Sequence, residues 1–330
     1  MYSFLITGST GFLGDLLVDQ IIKQHQNEEI CLILLVRDTF RAKSKYQKYH
    51  TQSNIHFIFL EYDITDQKLD EICLPCGIND IIHCAAVTDS SYMVSHPVET
   101  ADGIVIGTKK MLDLARKYQV QSMVYLSSME VYGTVEEIGR PRHEAELGTV
   151  VLESPRSCYP LAKRMAEHYC HIYYQQYGVP VKIARLAQTF GKGVPETDRR
   201  VFMQFAKAVV EGKDIVLQTA GNSIGNYCAS EDAVKAVLLL LERGKDGETY
   251  NVVNETNTMS IRQMADLVAE EIAEGRIRVK SEGADAAQYA PDTALRMSAE
   301  KLKGLGWMPT KGLKEMYWDL IKEISFSESI

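Results

Sequence analysis

Tyr159 and Lys163 stand four residues apart, and Ser128 lies upstream of them in Leu126-Ser127-Ser128-Met129-Glu130-Val131-Tyr132-Gly133. A helix rises about 1.5 Å per residue, so positions four apart share one face, one turn apart. That spacing brings the Lys163 ammonium toward the Tyr159 phenol. A free tyrosine has a pKa of about 10, too high for easy proton exchange at neutral pH, and a nearby cation favours its phenolate. A serine hydroxyl can hold a substrate oxygen while the phenol gives or takes the proton. The other reading of Tyr159 is a core aromatic in a tyrosine-rich helix. Tyr169, Tyr173, Tyr174 and Tyr177 follow it and fit packing or interface roles.

These groups need elements to carry them. Strand-like apolar runs occur at Phe4–Thr7, Ile30–Val36, Ile55–Leu60, Ile81–Cys84, Met123–Ser127 and Val181–Leu186. Helix-like stretches alternate with them at Gly11–His25, Gln67–Cys73, Val98–Tyr118 and Tyr159–Tyr177. Such alternation predicts βαβ units and a parallel sheet covered on both faces, whose strands read as continuous apolar runs. After Leu186 the pattern loosens, with helices expected at Val201–Glu211, Glu231–Glu242, Ser260–Ala273 and from Gly312 onward, and strands at Ile215–Gln218 and Tyr250–Val253. The fold class read from this pattern is α/β: a Rossmann-type doubly wound parallel sheet with a smaller C-terminal α/β substrate lobe. The dinucleotide-binding domain is set at 1–186, with 212–250 returning to it, and the smaller lobe at 187–211 and 251–330.

Thr7-Gly8-Ser9-Thr10-Gly11-Phe12-Leu13-Gly14 follows the first strand and opens the first helix. In that context the glycines allow a tight turn, close approach of a pyrophosphate and close helix–strand packing. The helix N-terminus offers N–H groups and a positive dipole end to phosphates. The second strand ends in Leu35-Val36-Arg37-Asp38. An acid there would hold the ribose hydroxyls of NAD, and an arginine would favour the extra phosphate of NADP. Arg37 comes first after the apolar run and favours NADP(H). The alternative for Arg37 is a solvated strand end.

The chain has 330 residues, 45% hydrophobic and 24% charged, with a net charge of −8 and no long basic run. This argues against a nucleic-acid partner. No apolar run reaches the ~18 to 20 residues of a membrane span, and Met1-Tyr2-Ser3 leads straight into a strand-like run, so neither a membrane segment nor a signal peptide is expected. The seven scattered cysteines read as reduced thiols of a cytoplasmic protein. Cys73-Leu-Pro-Cys76 lacks a second pair or nearby histidines at regular spacing, so no metal site is expected.

The chain resembles the extended short-chain dehydrogenase/reductase family, in its NAD(P)-dependent nucleotide-sugar epimerase/dehydratase branch, from Ser3 to about Ile324. The matching pieces are Thr7–Gly14, Asp63-Ile64, His83-Cys-Ala-Ala86, Ser128 with Val131-Tyr132-Gly133, Tyr159-x-x-x-Lys163, Tyr250-Asn-Val-Val-Asn254 and Leu305-Gly-Trp307. The resemblance implies one NAD(P)(H) per chain, held by Gly8, Thr10, Gly11, Phe12, Leu13, Gly14, Arg37, Asp63, Ile64, Ala85, Ala86 and Lys163. Asp63 and Ile64 would sit near the adenine, and Ala85 and Ala86 would leave room for the cofactor. Ser128, Tyr159 and Lys163 would be catalytic. Thr88, Ser128, Gln188, Arg200 and Arg296 would contact a small-molecule substrate, a nucleotide sugar. A homodimer through helices 98–118 and 159–177 is a further expectation.

Ser128-Met129-Glu130 is similar to the Thr/Ser-x-Glu pattern of sugar-nucleotide 4,6-dehydratases and UDP-glucuronate decarboxylases. In the dehydratases that glutamate abstracts the proton beside a transient 4-ketone. Glu130 is thereby a fourth catalytic candidate, with a solvated or structural glutamate as the other reading. Three departures from the pattern stand out: Met129 where glucose-type dehydratases carry an acid, Gln188 where many relatives carry Asn, and Gly225 where relatives often carry an arginine for the substrate pyrophosphate. The leading expectation is an epimerase/dehydratase acting through a transient keto-sugar. The alternatives are an NADPH-dependent reductase of a keto group and a catalytically silent cofactor-binding protein.

Overall fold

A computed structural model describes residues 1–74, 76–135, 139–282 and 293–327. In chain order its strands are β1 (Tyr2–Thr7), β2 (Ile30–Val36), β3 (Ile55–Glu61), β4 (Asp80–His83), β5 (Ser122–Ser128), β6 (Val181–Leu186), β7 (Gln188–Phe190), β8 (Ile215–Leu217), β9 (Ile224–Ala229), β10 (Thr249–Val252), β11 (Asn254–Ser260) and β12 (Val279–Ser281). Its helices are α1 (Phe12–Gln24), α2 (Thr39–Tyr46), α3 (Ser90–Ser95), α4 (Pro97–Tyr118), α5 (Cys158–Tyr177), α6 (Val201–Glu211), α7 (Ser230–Arg243), α8 (Ile261–Leu267), α9 (Glu300–Lys303) and α10 (Leu313–Ser327).

The seven-stranded sheet has the order β10-β6-β5-β4-β1-β2-β3. The neighbours from β5 to β3 pair in parallel, as the alternating pattern predicts. Every residue of β2 is buried, which is why Ile-Cys-Leu-Ile-Leu-Leu-Val reads as one apolar run. Chain order reverses between β1 and β4. There Thr7 lies opposite His83, so the Gly8 turn and the Ala85–Ala86 segment leave the sheet side by side. This is the topological switch point at which open α/β sheets bind ligands.

Two compact units are present. The first comprises Met1–Gly133, Thr149–Arg185 and Ala236–Tyr250; the second comprises Thr134–Gly148, Leu186–Lys235 and Asn251–Ile330. Residues 212–235 fall in the second unit, whereas the sequence pattern groups 212–250 with the first. The reason is strand pairing: β9 joins β11 and β7 in a three-stranded sheet, and β8 pairs with β12. Gln67–Glu71 forms a short 3-10 turn where the pattern suggested a helix through Cys73. Among the described residues no helix is long and apolar enough to cross a membrane, and no cluster of three metal-ligating side chains occurs.

Candidate active site

The β1–α1 turn is shaped by backbone contacts that exclude side chains. Gly8 adopts φ +67°, and a Cβ there would lie 3.0 Å from the backbone of Ala85. A Cβ on Gly14 would lie 2.7 Å from the Gly8 carbonyl carbon and 2.8 Å from Ser9 Cα, so α1 packs on the turn only with glycine at 14. Gly11 caps α1, and no side chain bonds the helix's first N–H groups. Thr10, Phe12 and Leu13 are partly exposed around this helix start. A turn this bare, opening onto an uncapped helix N-terminus, fits a dinucleotide pyrophosphate.

Behind the turn, Thr7 Oγ1 accepts the Ala85 N–H at 3.0 Å and meets His83 Nδ1 at 2.8 Å. His83 Nε2 lies 3.2 Å from Thr108 Oγ1. Burial, then the Lys163 charge, lower the His83 imidazolium to about 3, so the ring is neutral. All three contacts are satisfied when Thr7 donates to Nδ1 and Nε2–H donates to Thr108. The buried chain fixes where Ala85 and Ala86 emerge beside Gly8.

On the other side of the switch point, Arg37 and Asp38 follow β2 and are both exposed. Asp38 Oδ1 accepts the Arg41 N–H at 2.9 Å as the N-cap of α2. Asp63 Oδ1 accepts both the Thr65 N–H (2.9 Å) and hydroxyl (2.6 Å), and the Thr65 hydroxyl is the main reason its carboxyl is held below the usual range. Ile64 next to it is seated against α4 at Gly107, where a Cβ would meet its side chain at 2.7 Å. Asp63 thus shapes the loop, and Gly107 lets Ile64 lock it down.

Tyr159 and Lys163 sit on α5, and Ser128 at the end of β5. Tyr159, Lys163 and Glu167 lie at four-residue spacing on the buried face of α5, with Tyr159 6% and Lys163 3% exposed. Lys163 Nζ donates to the Leu126 carbonyl at 2.7 Å and lies 5.8 Å from the Tyr159 ring centre and 4.7 Å from that of Tyr125. The phenol and the ammonium therefore share one face, as their spacing predicts. Burial lowers the Lys163 ammonium to about 8, against the opposing charge of Glu167. Ser128 ends β5, and its Oγ accepts the Glu130 N–H at 3.2 Å, capping the 3-10 turn Met129–Tyr132. The Glu130 carboxylate is paired with Arg156, whose Nη2 lies 2.9 Å from both Oε1 and Oε2.

Three side chains that the sequence did not single out staple this turn to α5. Arg164 Nε donates to the Val131 carbonyl at 2.7 Å. Glu167 accepts the Ser127 hydroxyl at 2.5 Å and is forked by Arg185 from β6, with Nε at 2.9 Å and Nη2 at 2.7 Å. Glu167 had a signal: it extends the Tyr159–Lys163 spacing by one more turn. Arg164 and Arg185 had none, because their partners are 18 to 33 residues away.

Thr88 is exposed in the segment between β4 and α3. Gln188 lies on β7, and Arg200 and Arg296 also belong to the second unit. Arg200 is clasped by Asp198, with Nη2 to Oδ2 at 2.6 Å, and the Arg296 carbonyl accepts the Arg142 N–H at 2.8 Å. At Gly225 a side chain would collide with the Tyr227 phenol.

An open parallel sheet, a bare glycine turn at its switch point and a Tyr-x-x-x-Lys helix beside the adjoining strand define a nicotinamide-dinucleotide protein of the short-chain dehydrogenase/reductase type. The chain belongs to the NAD dependent epimerase/dehydratase family, whose model matches residues 4–253. It is 29% identical over 314 residues to UDP-glucuronic acid decarboxylase 5 of Arabidopsis thaliana, covering 94% of this chain and 86% of that protein. Its fold is that of the UDP-glucose 4-epimerase of Thermotoga maritima, solved with UDP-glucose (TM-score 0.82, 22% identity, 99% of each chain). It is also that of the UDP-glucuronic acid 4-epimerase of Bacillus cereus, solved with UDP-glucuronic acid and NAD (TM-score 0.79, 19% identity, 98% of this chain and 99% of that one).

Proposed function

We propose that this chain is a redox-neutral enzyme acting on a nucleoside-diphosphate sugar through a transient ketone. When bound, the dinucleotide supplies a hydride acceptor that can return the hydride. Tyr159 exchanges the proton of the sugar hydroxyl, Lys163 holds positive charge behind it, and Ser128 hydrogen-bonds the reacting oxygen. Glu130 takes the proton from the carbon next to the ketone, which the carbonyl has acidified. The observation that carries the reading is the placement of a carboxylate, through Arg156, at the turn that leads into Tyr159. A simple ketone reductase has no use for that carboxylate.

The Met129–Tyr132 turn bears on the step that follows oxidation. Met129 has no proton to give, and the Glu130 carboxylate is engaged by a permanent cation. Expelling a hydroxyl needs a proton donor to the leaving group, whereas inversion at the carbon beside the ketone needs a base there, and loss of carbon dioxide from a β-keto acid leaves an enolate that must take up a proton at that carbon. UDP-glucuronic acid and UDP-glucose are therefore the first compounds to test, with dTDP-glucose as the elimination control. Conversion followed by mass spectrometry, with cofactor at enzyme-level concentration and no net nicotinamide reduction, is the expected result. Stoichiometric consumption of NADPH would establish a reductase instead. The roles of Thr88, Gln188, Arg200 and Arg296 in substrate binding rest on the family resemblance.

For the cofactor we propose NADP(H). Arg37 is exposed directly after β2, while the neighbouring acid, Asp38, is engaged as a helix cap. Arg37→Ala is expected to weaken NADP+ binding by about tenfold, the loss of one charge-assisted contact, with NAD+ binding little changed. Titration calorimetry with both dinucleotides checks this, and an equal effect on both would reverse the assignment.

A further inference from the structure

We propose that Arg156 is a positioning residue that fixes the Glu130 carboxylate, as a charged base, to the turn that carries Tyr159. The inference rests on the reading of Glu130 as the proton-abstracting group. Arg156 lies in the short turn Pro155–Ser157, three residues before Tyr159. Ser157 in this turn is buried, and its N–H donates to the Ser154 carbonyl at 2.9 Å. The next residue, Cys158, donates its thiol to the Met93 carbonyl at 3.5 Å. The base of the Arg156 side chain is thus anchored. Its Nη2 reaches both Glu130 oxygens, and the centre of its guanidinium stands 5.8 Å from the Tyr159 ring centre.

Arg156 bonds the Glu130 carboxylate, and Cys158 at the start of α5 lies within electrostatic reach of it. The Cys158 thiol registers both members of the pair: burial raises it most, Arg156 opposes, and Glu130 adds to the rise. Arg164, also on α5, is committed to the carbonyls of Val131 and Tyr132. Both members of the pair are partly exposed, 34% for Arg156 and 39% for Glu130, and ion pairs so exposed contribute little to stability. Their use lies elsewhere. A guanidinium stays protonated throughout the working pH range, so Arg156 orients the carboxylate without giving up a proton. When Glu130 takes the proton from the carbon beside the ketone, the C–H electron pair moves onto the ketone oxygen as an enolate. The same carboxyl group can then return the proton, leaving Arg156 unchanged.

Arg156→Gln, Arg156→Lys and Glu130→Gln test the assignment in the full chain. With UDP-glucuronic acid or UDP-glucose, Arg156→Gln is expected to lower kcat on the order of 10- to 100-fold, the scale of a misplaced catalytic group. KM, dinucleotide affinity and Tm stay near wild type, and Arg156→Lys recovers part of the loss. Solvent deuterium uptake at the carbon beside the ketone falls in step with kcat. A substrate-free arm applies even if neither sugar turns over: carbodiimide labelling of Glu130, read by peptide mass mapping, speeds up several-fold in Arg156→Gln, as expected of a carboxylate released from its pair. Unchanged labelling, or wild-type kcat in Arg156→Gln beside a slow Glu130→Gln, overturns the inference alone. Normal turnover by Glu130→Gln overturns the reading of Glu130 as the base and the role of Arg156 with it.

Discussion

Tyr159→Phe is expected to lower kcat by about two to four orders of magnitude while the protein still folds and binds its dinucleotide. The substitution removes one oxygen and keeps the ring that α5 buries in the hydrophobic core. Without the phenol, nothing on this face of the helix exchanges the proton of the reacting hydroxyl. Lys163 cannot take over, because its Nζ is directed to the Leu126 carbonyl. General acid–base groups contribute about 10²- to 10⁴-fold, and the expected fall in kcat lies in that range. Steady-state kinetics beside dinucleotide titration check it; a variant within tenfold of wild type would remove Tyr159 from the chemistry. Lys163 adds a pH signature. Its ammonium sits at about 8 because it is buried, so kcat/KM declines as pH rises through that value and the charge behind the phenol is lost.

Glu167→Ala has the largest effect on stability. Glu167 and Arg185 are each 5% exposed, and their forked pair also holds the Ser127 hydroxyl. Removing the carboxylate leaves a guanidinium buried without its counter-charge, which costs about 3–5 kcal/mol. For a chain of this size that is a fall in Tm on the order of 10 °C, measurable by calorimetry. Glu167→Gln keeps an acceptor for Ser127 and loses less. The site feels the change as well. Glu167 opposes the downward shift of Lys163, so neutralising it moves the alkaline decline of kcat/KM to lower pH. An unmoved decline in Glu167→Gln would separate the buried pair from the chemistry.

The sequence made the parallel sheet visible because β2 and β4 are buried along their whole length and the glycine turn sits directly between strand and helix. In the second unit β8 was legible as the apolar run Ile215–Gln218, whereas β9 and β11 were hidden for the opposite reason. β11 reads Asn-Glu-Thr-Asn-Thr-Met-Ser, and its partner β9 carries the buried Asn226. Asn226 is accommodated by donating to the Leu295 carbonyl at 2.8 Å and accepting the Met297 N–H at 3.0 Å. A strand that satisfies its polar side chains this way shows no apolar alternation. α2 was hidden too, since only Ala42 and Tyr46 of its eight residues are buried. Within the site, Tyr159 and Lys163 were legible because helical spacing alone brings them together. The Glu130–Arg156 pair spans 26 residues, and Arg185 reaches Glu167 from a different element. Pairings of that kind depend on how strands and helices are assembled, which spacing does not encode.

One glycine in the second unit is fixed by its surroundings. At Gly225 the Tyr227 phenol fills the space that a side chain would need. Placing a larger side chain at that position would take two mutations in a set order. Tyr227 would first have to shrink, at the expense of its edge-on stacking with Phe190, and only then could residue 225 enlarge. No single substitution enlarges residue 225 without a clash, so glycine at 225 and tyrosine at 227 constrain each other as a pair.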